Sequence, residues 1–548
     1  MPSLPRKLRT KILPISLVIV FLALFDYLSD GVVTDFIPRP SGVIEDPPGT
    51  WDEHPVVRLH SDAERQFQTF LQRQSTTPEE AETEYRRRYG RSPPPGFRRW
   101  VEFAIAKGSP VIDDFDIIAE GVHPFLKYSA AEIEGRTRSA LAQKIGNHLE
   151  ICELKGGKFG EGCRNWADPL TQLLGDAKSL VPDVKFLLNL LDEPSVLLGP
   201  QETGDGENGA TLWTDLSHRS IASVVAEACK AQGRELRSPA PEGPADSPGI
   251  RFVTNITSER DLCLHPEYSS EHGFLMCPTS FHQLRNEVPI LSRAAPLPFS
   301  DILFPATHYS IESSLYSPWS DWAWGVKKNS LYWTGSSTGG WWSDETWRKG
   351  QRQRVVALGS DKDGRTFTFL RSGSDGSSTG STSLKQYEDT IDASLFDVGL
   401  TRHAGCASGS VCEEQSRFFG PPRRSETESR PLRFRYALDV DGNSFSGRFY
   451  RFLASRSVPL KMSIFREWHD ERLQPWLHYI PVSVGMDELP ELVRFLSSTS
   501  EGQKISFRVA EAGRAWYSWA MTPNQQGIYL YRLMLELARL QDESREAG

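Results

Sequence analysis

The stretch from Tyr436 to Ser463 constrains the fold more than any other part of the chain. Tyr436-Ala-Leu-Asp-Val440 reads as a buried strand, Asp441-Gly-Asn-Ser-Phe-Ser-Gly447 as a tight glycine-bearing loop, Arg448 to Ser455 as a helix, and Val458 to Met462 as the next strand. A strand, a glycine loop, a helix start and a following strand leave backbone N–H groups free at the C-terminal edge of a sheet, where a pyrophosphate binds naturally. Arg448 adds a fixed charge and a fork for two phosphate oxygens. On local pattern alone, the same residues also suit a structural turn with a surface arginine, because one glycine loop is a weak fingerprint.

At 548 residues the chain is too long for one hydrophobic core, so two packed lobes and a tail are expected. Short apolar runs, Val184 to Leu188 and Ile250 to Val253, alternate with helical segments in the pattern of α/β layers. Two Rossmann-like lobes around a cleft are the economical architecture. A net charge of -9 and the lack of a basic stripe argue against nucleic acid as a partner.

At the N-terminus, Arg6, Lys7, Arg9 and Lys11 precede an apolar run from Ile12 to Phe25 that Tyr27 and Leu28 extend. The run has the length of a signal-peptide core, but no small-x-small cleavage site follows and the flanking charge favours a cytoplasmic N-terminus. A retained anchor with a lumenal body is expected. Pro38 to Trp51 reads as a stem, and Ser61 to Tyr89 as helix on a solvated surface, ended by Pro93-Pro94-Pro95. Gly204 to Gly209, Ser238 to Gly249 and Gly373 to Ser383 read as surface insertions. Seven cysteines in a lumenal body suggest disulfides and one leftover thiol; the simplest pairs are Cys152 with Cys163, Cys263 with Cys277, and Cys406 with Cys412, leaving Cys229 free. Asn255-Ile256-Thr257 is a glycosylation sequon.

The stretch Asp439 to Arg448, with Ser457-Val-Pro-Leu-Lys461, Arg466-Glu-Trp-His-Asp-Glu-Arg472 and Pro475-Trp-Leu-His-Tyr-Ile-Pro481, resembles glycosyltransferase family 90, the capsule-associated xylosyltransferases and protein O-glucosyltransferases. Further matches are Tyr85-Arg-Arg-Arg-Tyr-Gly90 with Pro94-Pro-Gly96, Asp113-Asp-Phe-Asp116, Asp192-Glu-Pro194, Phe299-Ser-Asp-Ile-Leu-Phe-Pro305 and Tyr332-Trp-Thr-Gly-Ser-Ser-Thr-Gly-Gly340. The resemblance runs from about Tyr85 to Leu540 and is closest to the fungal branch. It implies a GT-B-like pair of lobes and inverting transfer of glucose or xylose from a UDP-sugar to a hydroxyl of a glycan or protein. The implied setting is the Golgi or endoplasmic reticulum membrane, with single-pass type II topology.

The implied order is a cytoplasmic tail (1–11), a signal anchor (12–28), a stem with a surface helix (29–95), an acceptor-side lobe (96–325), a nucleotide-sugar lobe (326–520) and a C-terminal helix and tail (521–548). Carried over, Arg448 holds the pyrophosphate in a loop formed by Gly442, Ser444, Phe445, Ser446 and Gly447, and Glu467 lies near the ribose. Gly335, Ser336 and Thr338 sit by the donor, with Arg352 or Arg354 as further phosphate contacts.

An inverting transfer needs one group to take the acceptor's proton. Asp192 follows the strand-like Val184 to Asn189, so it projects from a strand end, and the resemblance makes it the general base. Without the resemblance it reads as a turn aspartate. Family relatives of the fungal branch commonly carry arginine after Asp-Glu-Pro where this chain has Ser195, which puts a charge contact in doubt.

Asp113 to Asp116 could hold a hard cation but fits capping or a solvated loop better, so no metal ligand is assigned and a divalent cation, Mn or Mg, is left open as cofactor. His478, inside an apolar run, reads as a hydrogen-bonded core residue, and Trp341, Trp342 and Trp347 suit either cleft lining or packing. Two other functions compete. A glycoside hydrolase needs facing carboxylates, which adjacent Asp192 and Glu193 cannot provide in extended chain, and a silent lectin-like or assembly protein would keep the fold without the chemistry.

Overall fold

The computed structural model describes residues 51, 53–199, 213–234, 236, 249–310, 315–374, 382–424 and 427–544. The expected anchor at 12–28, the stem before Trp51, the expected insertions 204–209 and 238–249 except Gly249, and residues 375–381 of the expected insertion 373–383 lie outside the described residues.

Two five-stranded sheets organise the chain. The first contains β1 (Leu149–Lys155), β2 (Lys158–Phe159), β3 (Val184–Asn189), β4 (Ile290–Ser292) and β5 (Ile302–Leu303), in the order β2-β1-β3-β4-β5. β1 runs antiparallel to β3 with Leu149 opposite Asn189, whereas β3, β4 and β5 are parallel. The second contains β6 (Lys328–Ser336), β7 (Phe396–Arg402), β8 (Phe434–Val440), β9 (Val458–Met462) and β10 (Ile480–Pro481), in the order β7-β6-β8-β9-β10, all parallel. β8 and β9 are buried at every position, as strands covered on both faces must be, and the charged Arg435, Asp439 and Lys461 are buried along with their apolar residues. The chain is an α/β protein.

Strand order decides where a ligand can sit. From β6 the chain passes to β7 on one side and then to β8 on the other. Their connections leave in opposite directions and open a crevice beyond the carboxyl ends of β6 and β8, the switch point of an open parallel sheet. Those ends carry Gly335 to Thr338 and the loop 441–447.

Helices from the two ends of the chain clasp both sheets. α1 (Pro55–Gln72) and α2 (Pro78–Tyr89, opened by a Thr77/Glu80 capping box) replace the single surface helix expected over 61–89. α1 is not wholly solvated: Phe67 packs edge-on against Trp516 at 4.8 Å. Ahead of α1, His54 stacks on Phe495 at 3.7 Å and reaches Glu491 with Nε2 at 3.1 Å. The last helix, α3 (Pro523–Leu540), crosses back to the first sheet, where Tyr529 donates to Leu303 O and Ile528 O accepts from Trp100. Its backbone approaches so closely that a Cβ at Gly527 would lie 2.3 Å from Leu173 O.

Three expectations need correction. Ile250 to Val253 is not a strand; it is irregular chain whose Phe252 packs near His54 and whose Val253 O accepts from Trp476 Nε1 at 2.7 Å. Cys263 pairs with Cys229, with Cα atoms 5.7 Å apart, and Cys277 is the free, buried thiol. The helix Ala222–Ala231 presents Cys229 to the 261–263 turn, while Cys277 ends the short helix Gly273–Met276 beneath Gly340 and Trp342, so nearness in sequence misled the pairing. Cys152–Cys163 and Cys406–Cys412 form as expected. Asn255 is exposed and caps its own helix, accepting from Thr257 and Ser258 N–H groups.

Candidate functional site

The loop after β8 is built around Asp441. Its buried carboxylate accepts from His272 Nε2 (3.0 Å), Gln351 Nε2 (3.1 Å) and Ile464 N (3.1 Å). Burial alone would raise its pKa, but these partners outweigh burial and hold it below the ordinary range. Asp441 is therefore a clamp between three segments. Next to it the loop closes through Gly442 N to Ser444 O at 2.8 Å.

Arg352 is threaded under this turn. Nε donates to Asp441 O (2.8 Å), Nη1 to Thr338 Oγ1 (2.8 Å) and Ser336 O (3.3 Å), and a Cβ at Gly442 would lie 2.7 Å from Nη2. Ser336 and Thr338 share a hydroxyl–hydroxyl bond of 2.8 Å. Burial, reinforced by neighbouring Arg448, pushes Arg352 down to about 10, so it stays cationic near neutrality. Asn443 Oδ1 accepts from Thr279 Oγ1 (3.0 Å) and Gly339 N (3.3 Å). The two glycine-bearing loops are thereby fixed side by side.

Arg448 enters from the start of the short helix Phe449–Leu453 and donates through Nη1 to Thr334 O at 2.5 Å. Beneath it lies fully buried Asp439, which has the Ser446 hydroxyl beside it and whose closest cation is Lys461, 3.6 Å away. Buried Ser444 Oγ is without a partner among the described residues. Ser446 is buried and Phe445 half-buried, the latter 5.4 Å from the Tyr309 ring. At Gly447 a Cβ would fall 2.2 Å from His308 Cδ2, so that imidazole lies directly on the loop backbone.

The opposite wall belongs to the first sheet. Asp192 stands on the turn after β3 with its side chain 55 % exposed, and Arg293 Nη2 lies 3.2 Å from Oδ1. The same nitrogen donates to Leu190 O and Leu191 O (2.6 Å for the latter). Asn189 Oδ1 accepts from Leu191 N and its amide donates to Glu193 O, while Asp301 accepts from Ser195 N and Val196 N at 2.8 and 2.7 Å. The turn is held on both sides of Asp192. Glu193 faces the core, accepting from the N–H groups of Thr279 and Ser280 and from Ser280 Oγ, so Asp192 has no facing carboxylate in Glu193. A relay Glu193–Thr279–Asn443 thus connects the Asp192 turn to the glycine loop. His308 lies in the field of both Arg293 and Asp192; burial, then Arg293, push it below its ordinary pKa.

The sequence model described as Glycosyl transferase family 90 matches residues 278–546, which hold the glycine loops, Arg293, His308, Arg352 and Arg448. These residues belong to glycosyltransferase family 90. Among curated proteins, the chain is similar to Protein O-glucosyltransferase 2 of Danio rerio, 30 % identical over 111 residues, 20 % of this chain and 22 % of that protein. It is also similar to Protein O-glucosyltransferase 3 of Homo sapiens, 25 % identical over 116 residues, 21 % of this chain and 22 % of that protein. The matches therefore span about a fifth of the length of these relatives. Asp192 precedes the family 90 match.

Within the family 90 region two expected donor residues face elsewhere. Arg354 does not join the loop; two positions along the helix from Arg352, it points to the far side and donates to Glu271 O (3.0 Å) and Val484 O (2.6 Å), bordering a separate cavity of about 110 Å³. Glu467 is completely buried, with Oε1 on Lys461 Nζ (2.9 Å) and Oε2 on Tyr309 OH (2.5 Å), so it braces the loop's underside instead of facing a ribose.

The remaining candidates are structural. Asp113 and Asp114 are buried, not solvated: Asp113 accepts from Ser75 N, and Asp114 pairs with Arg73 and Arg88. Asp116, in the first turn of its helix, accepts from Tyr89 OH at 2.7 Å. His478 stacks on Trp516 and accepts from Gln474 N, as a core histidine should. Trp342 and Trp347 are packed with no exposure, and half-buried Trp341 stacks on His218 at 4.3 Å.

Arg293 and His308 carry no motif of their own that marks them. They reach the site only through the turns after β4 and β5, which sequence spacing does not reveal.

Proposed function

We propose that this chain is an inverting glycosyltransferase with a GT-B-like cleft, moving glucose or xylose from a UDP-sugar to a hydroxyl of a glycan or protein. The observation that carries the reading is the junction of a rigid arginine-bearing loop, at the sheet's switch point, with the exposed carboxylate of Asp192 through Glu193, Thr279 and Asn443.

In this reading the diphosphate rests on the backbone of 442–447 and on Arg448, with Arg352 fixing the loop and adding positive field. Asp192 takes the proton of the acceptor hydroxyl as its oxygen bonds to the anomeric carbon from the face opposite the diphosphate. The bond to the diphosphate oxygen breaks, and UDP leaves with its charge held by the loop. Mn or Mg would need open carboxylates; Asp441 is fully bonded and Asp439 faces Lys461, so no step is routed through a metal.

The proposed setting is a secretory membrane, with a type II anchor at 12–28; three disulfides and an exposed sequon suit a lumenal body. No helix among the described residues is long and apolar enough to cross a membrane. The test is UDP release from UDP-glucose and UDP-xylose by the purified protein with candidate acceptors. Acceptor-stimulated release that Asp192→Asn abolishes supports the reading; release unaffected by that substitution overturns the role of Asp192.

A further inference from the structure

We infer that residues 315–328 form a lipid-facing surface that seats the folded body on a bilayer. Among the described residues six large apolar side chains stand out as exposed, and four of them fall in this segment: Leu315 (52 %), Trp319 (97 %), Trp322 (41 %) and Val326 (66 %).

These tips are held outward by a rigid base. Asp321 is buried, bonded to Lys327, to Tyr316 OH (2.8 Å) and to Arg456 N (2.8 Å), and Lys327 also reaches Ser457 Oγ at 3.0 Å. Trp324 is buried 5.7 Å from Phe507, with the Arg435 guanidinium over its ring. A segment fixed from below in this way cannot fold its apolar tips inward.

Its place in the fold separates it from the proposed donor site. Residues 315–326 lead into Lys328, the first residue of β6, whereas the glycine loops stand at the far end, beyond Ser336. A strand of this length puts roughly 25 Å between the two. Trp319 and Trp322 are therefore too far from the glycine loops to line the proposed donor site.

Two features point to lipid. The charge is that of an interfacial belt: the one carboxylate of the segment, Asp321, is internally neutralised, while Lys328 is exposed and Arg433 lies over the Trp322 ring at 5.4 Å. Indole rings settle at the headgroup level, and neighbouring Lys and Arg reach anionic headgroups. The second feature is the route of the chain. Asn329 donates to Ser497 O at the end of the helix Leu489–Ser498, and Phe495 of that same end packs against Trp51, the first described residue. Trp51 and Asn329, the residue that follows the segment, are thus held by the same helix end. The inference rests on the proposed tether at 12–28 only for proximity: the 22 residues from 29 to 50 extend at most about 75 Å.

The full-length chain, reconstituted in vesicles with and without phosphatidylserine and containing a phospholipid with a photoreactive acyl chain, is illuminated and the adducts are mapped by mass spectrometry. Adducts are expected on the peptide spanning Trp319 to Val326, stronger with phosphatidylserine, and reduced several-fold by Trp319→Ser with Val326→Ser, whose exposure leaves the melting temperature unchanged. Labelling of 12–28 without 315–326 overturns the surface and leaves the tether standing. Labelling of 315–326 without 12–28 supports the surface and overturns the tether. No adduct on 315–326 in either vesicle overturns the inference.

Discussion

Arg293 Nη2 lies 3.2 Å from Asp192 Oδ1 and donates at the same time to the carbonyls of Leu190 and Leu191. One guanidinium therefore fixes both the turn and the direction of its carboxylate. Arg293→Gln is expected to lower kcat by about 10²-fold, the cost of a misplaced reacting group, with UDP affinity unchanged. Arg293→Lys should recover part of the rate. Kinetics of the double variant Asp192→Asn/Arg293→Gln decide the matter: no further loss beyond Asp192→Asn is expected, and fully multiplicative losses would show that the two act independently.

His308 leaves no room for a side chain at Gly447, where a Cβ would come within 2.2 Å of Cδ2. Gly447→Ala should displace the imidazole and lower transfer by roughly tenfold without a large change in melting temperature. Adding His308→Ala removes the clash, so UDP affinity in the double variant should return toward that of His308→Ala alone. Calorimetry on the three variants checks this order.

Two of the buried histidines contribute stability that is lost on acidification. Burial pushes His469 down to about 4 and His478 down to about 3. In the unfolded chain both protonate near pH 6.5, so between about pH 6.5 and 4 the unfolded state binds more protons and stability falls as pH falls. Because buried Glu488, pushed up to about 7 by burial, acts in the opposite direction over part of this window, the histidine contribution is read as the difference in melting temperature between the wild-type protein and His478→Gln from pH 7.5 to 4. His478→Gln should flatten that decline even if it starts lower; an unchanged slope would contradict the assignment.

Disulfide connectivity gives a separate check. Non-reducing peptide mapping should recover Cys229 linked to Cys263, with Cys277 alkylated only after unfolding. Cys229→Ala is expected to cost about 2–4 kcal/mol of stability, and Cys277→Ala less, since it cuts no bridge.

The α/β class and the strand–loop–helix–strand unit were legible because mostly apolar segments at Phe434–Val440 and Val458–Met462, broken only by Arg435, Asp439 and Lys461, flank a glycine-bearing loop. The helix between them is shorter than its composition implies, ending at Leu453. Side-chain direction was less legible. Arg352 and Arg354 have the same chemistry, and only the helix's orientation sends one under the glycine loop and the other to Val484 O. Glu467 sits in a matched motif, yet Lys461 and Tyr309 occupy its oxygens. The doubt raised by Ser195 has a physical answer as well: that position is buried on Asp301, and the charge beside Asp192 comes from Arg293, about a hundred residues later, which no local pattern could show.

The central claim is that the loop carrying Arg448 holds the diphosphate of a uridine nucleotide. Calorimetric titration of the folded protein with UDP tests it most directly. The account expects saturable binding that Arg448→Ala weakens by at least about tenfold, the scale of a lost charge-assisted hydrogen bond. No detectable binding by the wild-type protein, with or without Mn or Mg, would contradict it.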